Sequence, residues 1–147
     1  MTVTHSSFVL EREYTATPQK VFGGYATKAQ KEKWFGDPAE PPAIWDFDFR
    51  EGGREYTEGE FHGQNSIFDA IYHDIVENER IVYSYTMHFG KAKLSTSLQS
   101  IEFFATATGT RLVLTEHCAY FDGNDNPAAR EEGTRGLLEQ LAAVVEI

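Results

Sequence analysis

From Ile67 to Tyr120, apolar and polar residues alternate almost without a break, interrupted only where turn signals fall. A period of two is the mark of strands that bury one face and wet the other. Three hairpins are predicted. Ile44–Arg50 returns through Arg54–Glu60 across Gly52-Gly53. Ser66–Val76 returns through Arg80–Phe89 across Glu77-Asn78-Glu79, and Leu94–Phe104 through Arg111–Phe121 around Thr108-Gly109-Thr110. A further strand over Phe8–Tyr14 precedes them. Between it and the first hairpin the period changes. Thr17-Pro18 supplies an N-cap and a first-turn proline for a short helix with Val21, Phe22 and Tyr25 on its apolar side. Thr27 and Gln30 form a capping box for a second short helix running to about Trp34, which Gly36, Asp37 and Pro38 stop.

Asn126-Pro127 opens the last element, a long helix with Leu137, Leu138, Leu141, Ala142, Val144 and Val145 at spacings of three, four and seven. Glu131, Glu132, Arg135, Glu139 and Glu146 cover its outer side. Gly133 and Gly136 each cost about 1 kcal/mol relative to Ala inside a helix. They are read as points of close packing on the sheet, the alternative being room for a ligand beneath the helix. The whole predicts an α+β fold: a curved antiparallel sheet of about seven strands around a C-terminal helix, with two short helices after strand 1. At 147 residues the chain fits one domain, spanning 1–147, that buries roughly 70% of its unfolded surface.

Composition narrows the partners. Thirteen basic against 23 acidic residues give a net charge of −10, and the basic residues are scattered, so neither nucleic acid nor an anionic membrane is an expected partner. Lys20, Lys28, Lys31 and Lys33 read as a solvated helix face. One cysteine, Cys118, excludes an internal disulfide and a cysteine-based zinc site. The five histidines lack ligand spacing, so neither a metal nor another cofactor is expected. The opening residues have neither the basic nor the apolar region of a secretion signal, and no apolar run approaches about 20 residues. A cytoplasmic location is expected. Aromatics make up 14% of the chain, enough to line a hollow as well as fill a core.

Four motifs carry a resemblance. Thr17-Pro18, Val21-Phe22, Tyr25-Ala26-Thr27 and Lys33-Trp34-Phe35-Gly36 make an opening signature. Asp48-Phe49-Arg50-Glu51-Gly52-Gly53-Arg54 is the first hairpin turn. Asn78-Glu79-Arg80-Ile81-Val82-Tyr83 and Gly109-Thr110-Arg111-Leu112-Val113-Leu114-Thr115 are two strand starts. Together, over essentially the whole chain, they resemble the activator of heat-shock protein 90 ATPase homologue-like branch of the START-like, birch-pollen-allergen-like (SRPBCC) superfamily. That resemblance implies the helix-grip fold, with a cavity between sheet and C-terminal helix. Members include lipid carriers, hormone receptors and polyketide cyclases, so fold alone does not choose a function.

Alternation assigns an inward face, and with the implied cavity it nominates ligand-contacting residues. These are Arg12 on the first strand, Trp34 and Phe35 at the cavity mouth, and Trp45, Phe47, Phe68, Tyr72, Tyr83, Tyr85, Gln99, Phe103, Leu114 and Glu116 on the later strands. Leu137 and Leu141 come from the final helix. The implied fold makes first and last strands neighbours, so Arg12 and Glu116 are expected to face one another as a buried ion pair. Glu116, Tyr72 and Tyr85 are the candidates for acid–base chemistry. His117 should point away from Cys118, which speaks against a Cys–His nucleophile. The expected partner is a small hydrophobic or aromatic molecule. A cyclase or aromatase acting on a polyketide-like substrate, and a co-chaperone-like protein-binding domain, are the alternatives. A homodimer through an exposed strand edge is compatible with the pattern.

Overall fold

The hairpins join into one antiparallel sheet in the computed structural model, which describes residues 2–147. The order along the chain is β1 (Val3–Tyr14), α1 (Pro18–Ala26), α2 (Lys28–Lys31), β2 (Ile44–Phe47), β3 (Arg54–Phe61), β4 (Gln64–Val76), β5 (Arg80–Phe89), β6 (Ala92–Thr106), β7 (Gly109–Phe121) and α3 (Pro127–Val145). The seven strands lie in the order β1-β7-β6-β5-β4-β3-β2, so the first strand returns beside the last while β2 forms the opposite edge. This is the helix-grip fold. The helix starts follow their caps: the side chains of Thr17, Thr27 and Asn126 accept hydrogen bonds from the backbone N–H of Lys20, Gln30 and Ala129. α2 is shorter than its pattern predicts. It closes at Lys31, and turns carry the chain on to Phe35.

Inner-face residues Phe8, Leu10, Ile81, Ile101, Leu112 and Leu114 are buried under α1 and α3. Close helix packing occurs at Gly24 of α1, where a Cβ would sit 2.8 Å from Leu141 Cδ1 and 3.3 Å from Val145 Cγ1. It does not occur at Gly133 or Gly136, where an added Cβ would meet no atom within 4 Å. The expectation of close packing at those two glycines is thus corrected, because both are exposed, Gly133 where α3 borders a cavity and Gly136 away from it. Tyr14 Oη donates to Leu138 O at 2.8 Å, fastening the far half of α3 to β1.

The lysine-rich short helix is not uniformly solvated. Lys31 is 2% exposed and its ammonium pairs with Glu55, itself 0% exposed, at 2.5 Å. Trp45 Nε1 donates to the second Glu55 oxygen at 2.9 Å, and Tyr72 Oη donates to the first at 2.6 Å. The Phe35 ring centroid lies 4.4 Å from the ammonium, and the rings of Phe47, Phe68, Tyr72 and Tyr83 stand within about 6 Å of it. One helix residue is therefore a bolt joining α2, β2, β3 and β4. Removing one partner of a buried pair strands the other charge and costs about 3–5 kcal/mol. Lys31→Met should lose that much in urea unfolding. Adding Glu55→Gln should recover part of the loss, since the amide oxygen still accepts a hydrogen bond while the stranded charge is gone. A single variant as stable as the parent would show that the pair is inessential.

Candidate functional site

Where α3 stands off the sheet, a cavity of about 790 Å³ opens between them. Its apolar half is built from rings. Trp34 lies edge-on to Tyr25 at 4.8 Å and to Phe35 at 5.7 Å. Phe35 meets Phe68 at 5.0 Å, and Phe68 meets Tyr85 at 5.1 Å. Trp34 is fixed by its indole N–H, which donates to Gly24 O at 2.9 Å. Trp45, Met87, Leu114 and Leu137 complete these walls. On the open side stand the exposed carboxylates Asp37, Glu40 and Glu60, from the α2–β2 loop and the end of β3.

The other half is polar. Register places Gln99 of β6 opposite both Tyr83 of β5 and Glu116 of β7. Tyr83 Oη donates to Gln99 Oε1 at 2.6 Å, Gln99 Nε2 donates to Glu116 Oε1 at 2.8 Å, and Tyr85 Oη donates to that same oxygen at 2.7 Å. Arg130, on the first turns of α3, reaches down into this cluster with its side chain 10% exposed. Its Nη1 donates to Tyr85 Oη at 3.2 Å and Ser97 Oγ at 3.4 Å. Its Nη2 donates to Ser95 Oγ and Asp125 Oδ2, both at 2.7 Å. Glu116 Oε2 has no hydrogen-bond partner among the described residues and lies 3.8 Å from Arg130 Nη1. Burial raises the Glu116 carboxyl above its ordinary range, against the opposing pull of the Tyr85 and Gln99 donors and the Arg130 charge. Burial, reinforced by neighbouring acidic groups, raises Tyr83 and Tyr85 as well, so both remain neutral phenols at neutral pH.

Of the residues nominated from sequence, Trp34, Phe35, Trp45, Phe68, Tyr83, Tyr85, Gln99, Leu114 and Leu137 line the cavity. Glu116 lies behind Gln99 and Tyr85 rather than on the wall. Tyr72 and Phe47 belong to the surroundings of Lys31, Phe103 packs on Phe22 and Tyr25, and Leu141 on Gly24. The Arg12–Glu116 pair does not exist. Arg12 is at the sheet edge, where its guanidinium turns out to Glu139 of α3, with Nε to Oε1 at 2.8 Å and Nη2 to Oε2 at 3.1 Å. Glu116 takes Arg130 as its cation instead. Arg130 and Asp125 escaped the sequence reading, although Arg130 falls on the face of α3 that Thr134, Leu138, Leu141 and Val145 bury. A cation continuing an apolar stripe was the available signal. His117 is exposed and Cys118 buried, as alternation required. Among the described residues no group of three or more metal-ligating side chains occurs, and no helix is long and apolar enough to cross a membrane.

Fold and cavity define a helix-grip domain of the ligand-binding type. The chain belongs to the family described as Activator of Hsp90 ATPase homolog 1-like protein, which it matches over residues 15–146. It is 44% identical to the Mll3558 protein from Rhizobium loti, with a TM-score of 0.89 over 97% of this chain and 99% of that one. A protein from Rhizobium leguminosarum is 33% identical, with a TM-score of 0.93 over 99% and 97% of the two chains. DynU16, encoded in the dynemicin biosynthetic locus, shares the fold at 14% identity, with a TM-score of 0.70 over 93% of this chain and 46% of its own. No curated protein matches the chain.

Two stability measurements test these placements. Arg12→Ala should cost no more than about 1 kcal/mol in urea unfolding, as an exposed pair does; a loss of several kcal/mol would mean that Arg12 is a core residue. For Glu116 the sign follows from its raised pKa. The native state holds that proton more tightly than the unfolded chain, so the carboxyl destabilises the protein as pH rises above the ordinary value of 4.5. Glu116→Gln should therefore melt close to the parent at pH 4 and progressively above it toward pH 7. A gap that narrows with pH would refute the assignment.

Proposed function

We propose that this protein binds a small, largely hydrophobic or aromatic molecule in the cavity between the sheet and α3. The carrying observation is the cavity itself. At about 790 Å³ it falls within the roughly 300–1,000 Å³ range of small-molecule sites, and a ring-lined wall with a few convergent polar groups is the composition such sites share. Three features support the reading. α3 borders the cavity with Gly133, which adds no side chain to fill it. The rings are fixed by hydrogen bonds and edge-on contacts, which preforms the space. The polar groups are gathered at one end, which would orient a guest. A cyclase-like or aromatase-like activity is the second reading. It rests on the Tyr85–Glu116 hydrogen bond, which sets a neutral phenol on the wall and a carboxyl with a raised pKa behind it.

Mass spectrometry of protein purified and sprayed under non-denaturing conditions should show an organic compound that denaturation releases. Leu137→Trp, which fills the cavity from the helix side, should melt like the parent yet retain little of that compound. Equal retention by a folded Leu137→Trp would place binding elsewhere. Incubating the released compound with fresh protein then separates carrier from enzyme, because only an enzyme returns a product of different mass or structure.

A further inference from the structure

The polar end of the cavity has a defined hydrogen-bonding polarity, and we infer from it that the guest presents an uncharged hydroxyl there, on a phenol or an alcohol, rather than a carboxylate or an ammonium. The inference rests on the ligand-binding reading of the cavity and specifies what that cavity selects.

The available protons fix this polarity. Glu116 Oε1 accepts from both Gln99 Nε2 and Tyr85 Oη, an arrangement that holds whether the carboxyl is ionised or carries its proton on Oε2. Gln99 must therefore turn its amide nitrogen toward Glu116 and its oxygen toward Tyr83. Tyr83 has then committed its only proton to Gln99 and offers nothing but lone pairs. Tyr85 is in the same condition, with one lone pair already engaged by Arg130 Nη1. Gln99 Nε2 keeps a second N–H, its one acceptor among the described residues being Glu116 Oε1. The wall thus offers acceptors at Tyr83 and Tyr85 beside one donor at Gln99. A hydroxyl is the group that answers both, giving its proton to Tyr83 Oη while accepting from Gln99.

Charge excludes the ionic alternatives. All four Nη protons of Arg130 are engaged by Tyr85, Ser97, Ser95 and Asp125, so a guest carboxylate would have to displace Asp125 to reach them. It would also meet Glu116 and Asp125 against a single Arg130. Nearer the mouth, the charged groups facing the cavity are Asp37, Glu40 and Glu60, all acidic. Like charges placed this way repel an anion on approach as well as in the site. An ammonium would be drawn in by the mouth, but it has no lone pair with which to accept from Gln99 Nε2, and it would end beside the Arg130 guanidinium.

A matched probe set tests this: naphthalene, 2-naphthol, 2-naphthoate and 2-naphthylmethylamine at pH 7, with affinities taken from chemical-shift titrations of the ¹⁵N-labelled protein. 2-Naphthol should bind roughly tenfold more tightly than naphthalene, the worth of two net hydrogen bonds. Both ionic probes should bind less tightly than 2-naphthol, and 2-naphthoate should be the weakest of the four. In Tyr83→Phe the advantage of 2-naphthol over naphthalene should shrink to a few-fold or less. Naphthalene and 2-naphthol binding equally would overturn the hydroxyl inference and leave the cavity reading standing. Tightest binding by 2-naphthoate or by the amine would do the same. If no probe binds the parent, or if Leu137→Trp binds all four as the parent does, the cavity reading falls and this inference with it.

Discussion

Everything in this structure turns on how α3 is held at both ends and released in the middle. Toward its C-terminus the helix is clamped by an apolar seam in which Leu141 and Val145 press on Gly24, while Tyr14 bonds the Leu138 carbonyl. Toward its N-terminus the clamp is a single guanidinium that reaches the sheet through Ser95, Ser97 and Tyr85. Between them sits Gly133, with nothing beneath it. Burying an arginine is costly unless it is well paired, and here both Nη atoms have oxygen partners. Neighbouring Tyr85, Asp125 and Glu116 more than offset the effect of burial on its charge, so the clamp stays cationic. A hydrophobic anchor at that end would have drawn the helix onto the sheet and closed the space.

The polar end and the Lys31–Glu55 bolt answer different needs with similar materials. Both place a carboxylate in the interior and surround it with donors from tyrosine and one cation. Around Glu55 each oxygen is engaged, the cation is enclosed by rings, and the unit ties short elements together. Around Glu116 one oxygen lacks a partner, the cation is shared with other acceptors, and the tyrosines open onto the cavity. A fully satisfied network gives rigidity, whereas an incompletely satisfied one is where a site is to be looked for. The two clusters are separated by the ring wall of Phe35, Phe68 and Tyr83, so the same aromatic side chains insulate the bolt and line the hollow.

Much of the fold was legible because the strands obey a period of two and the helix starts carry Thr17, Thr27 and Asn126 at cap positions. Faces followed from the same alternation, which is why most wall residues on β5, β6 and β7 could be named in advance. Three things were not legible, for distinct reasons. Arg12 follows the inward phase of β1 but lies near a sheet edge, where a long side chain can leave its assigned face and meet Glu139. Lys31 looked solvated because its neighbours in sequence are polar, although Trp34 and Phe35 at three and four positions on share its side of the chain. Glu55 follows a glycine turn, and its phase is fixed only by pairing with Phe47 and Ala70 across two ladders. Pairwise relations between distant segments decide such cases, and no local period records them.

One wall of the cavity comes from the shortest strand of the sheet, at its edge. β2 has four residues and a ladder on one side only, to β3, and it carries Trp45. Beyond that short ladder, the Trp45 indole is tethered by one bond to Glu55. Local opening requires least where the fewest backbone hydrogen bonds must break. β2 is therefore the edge strand whose detachment would break the fewest backbone hydrogen bonds, and Trp45 is the cavity-wall residue that would leave with it. The carboxylate that holds the Trp45 indole is 0% exposed, so such a detachment would also uncover a group that the folded sheet keeps from solvent.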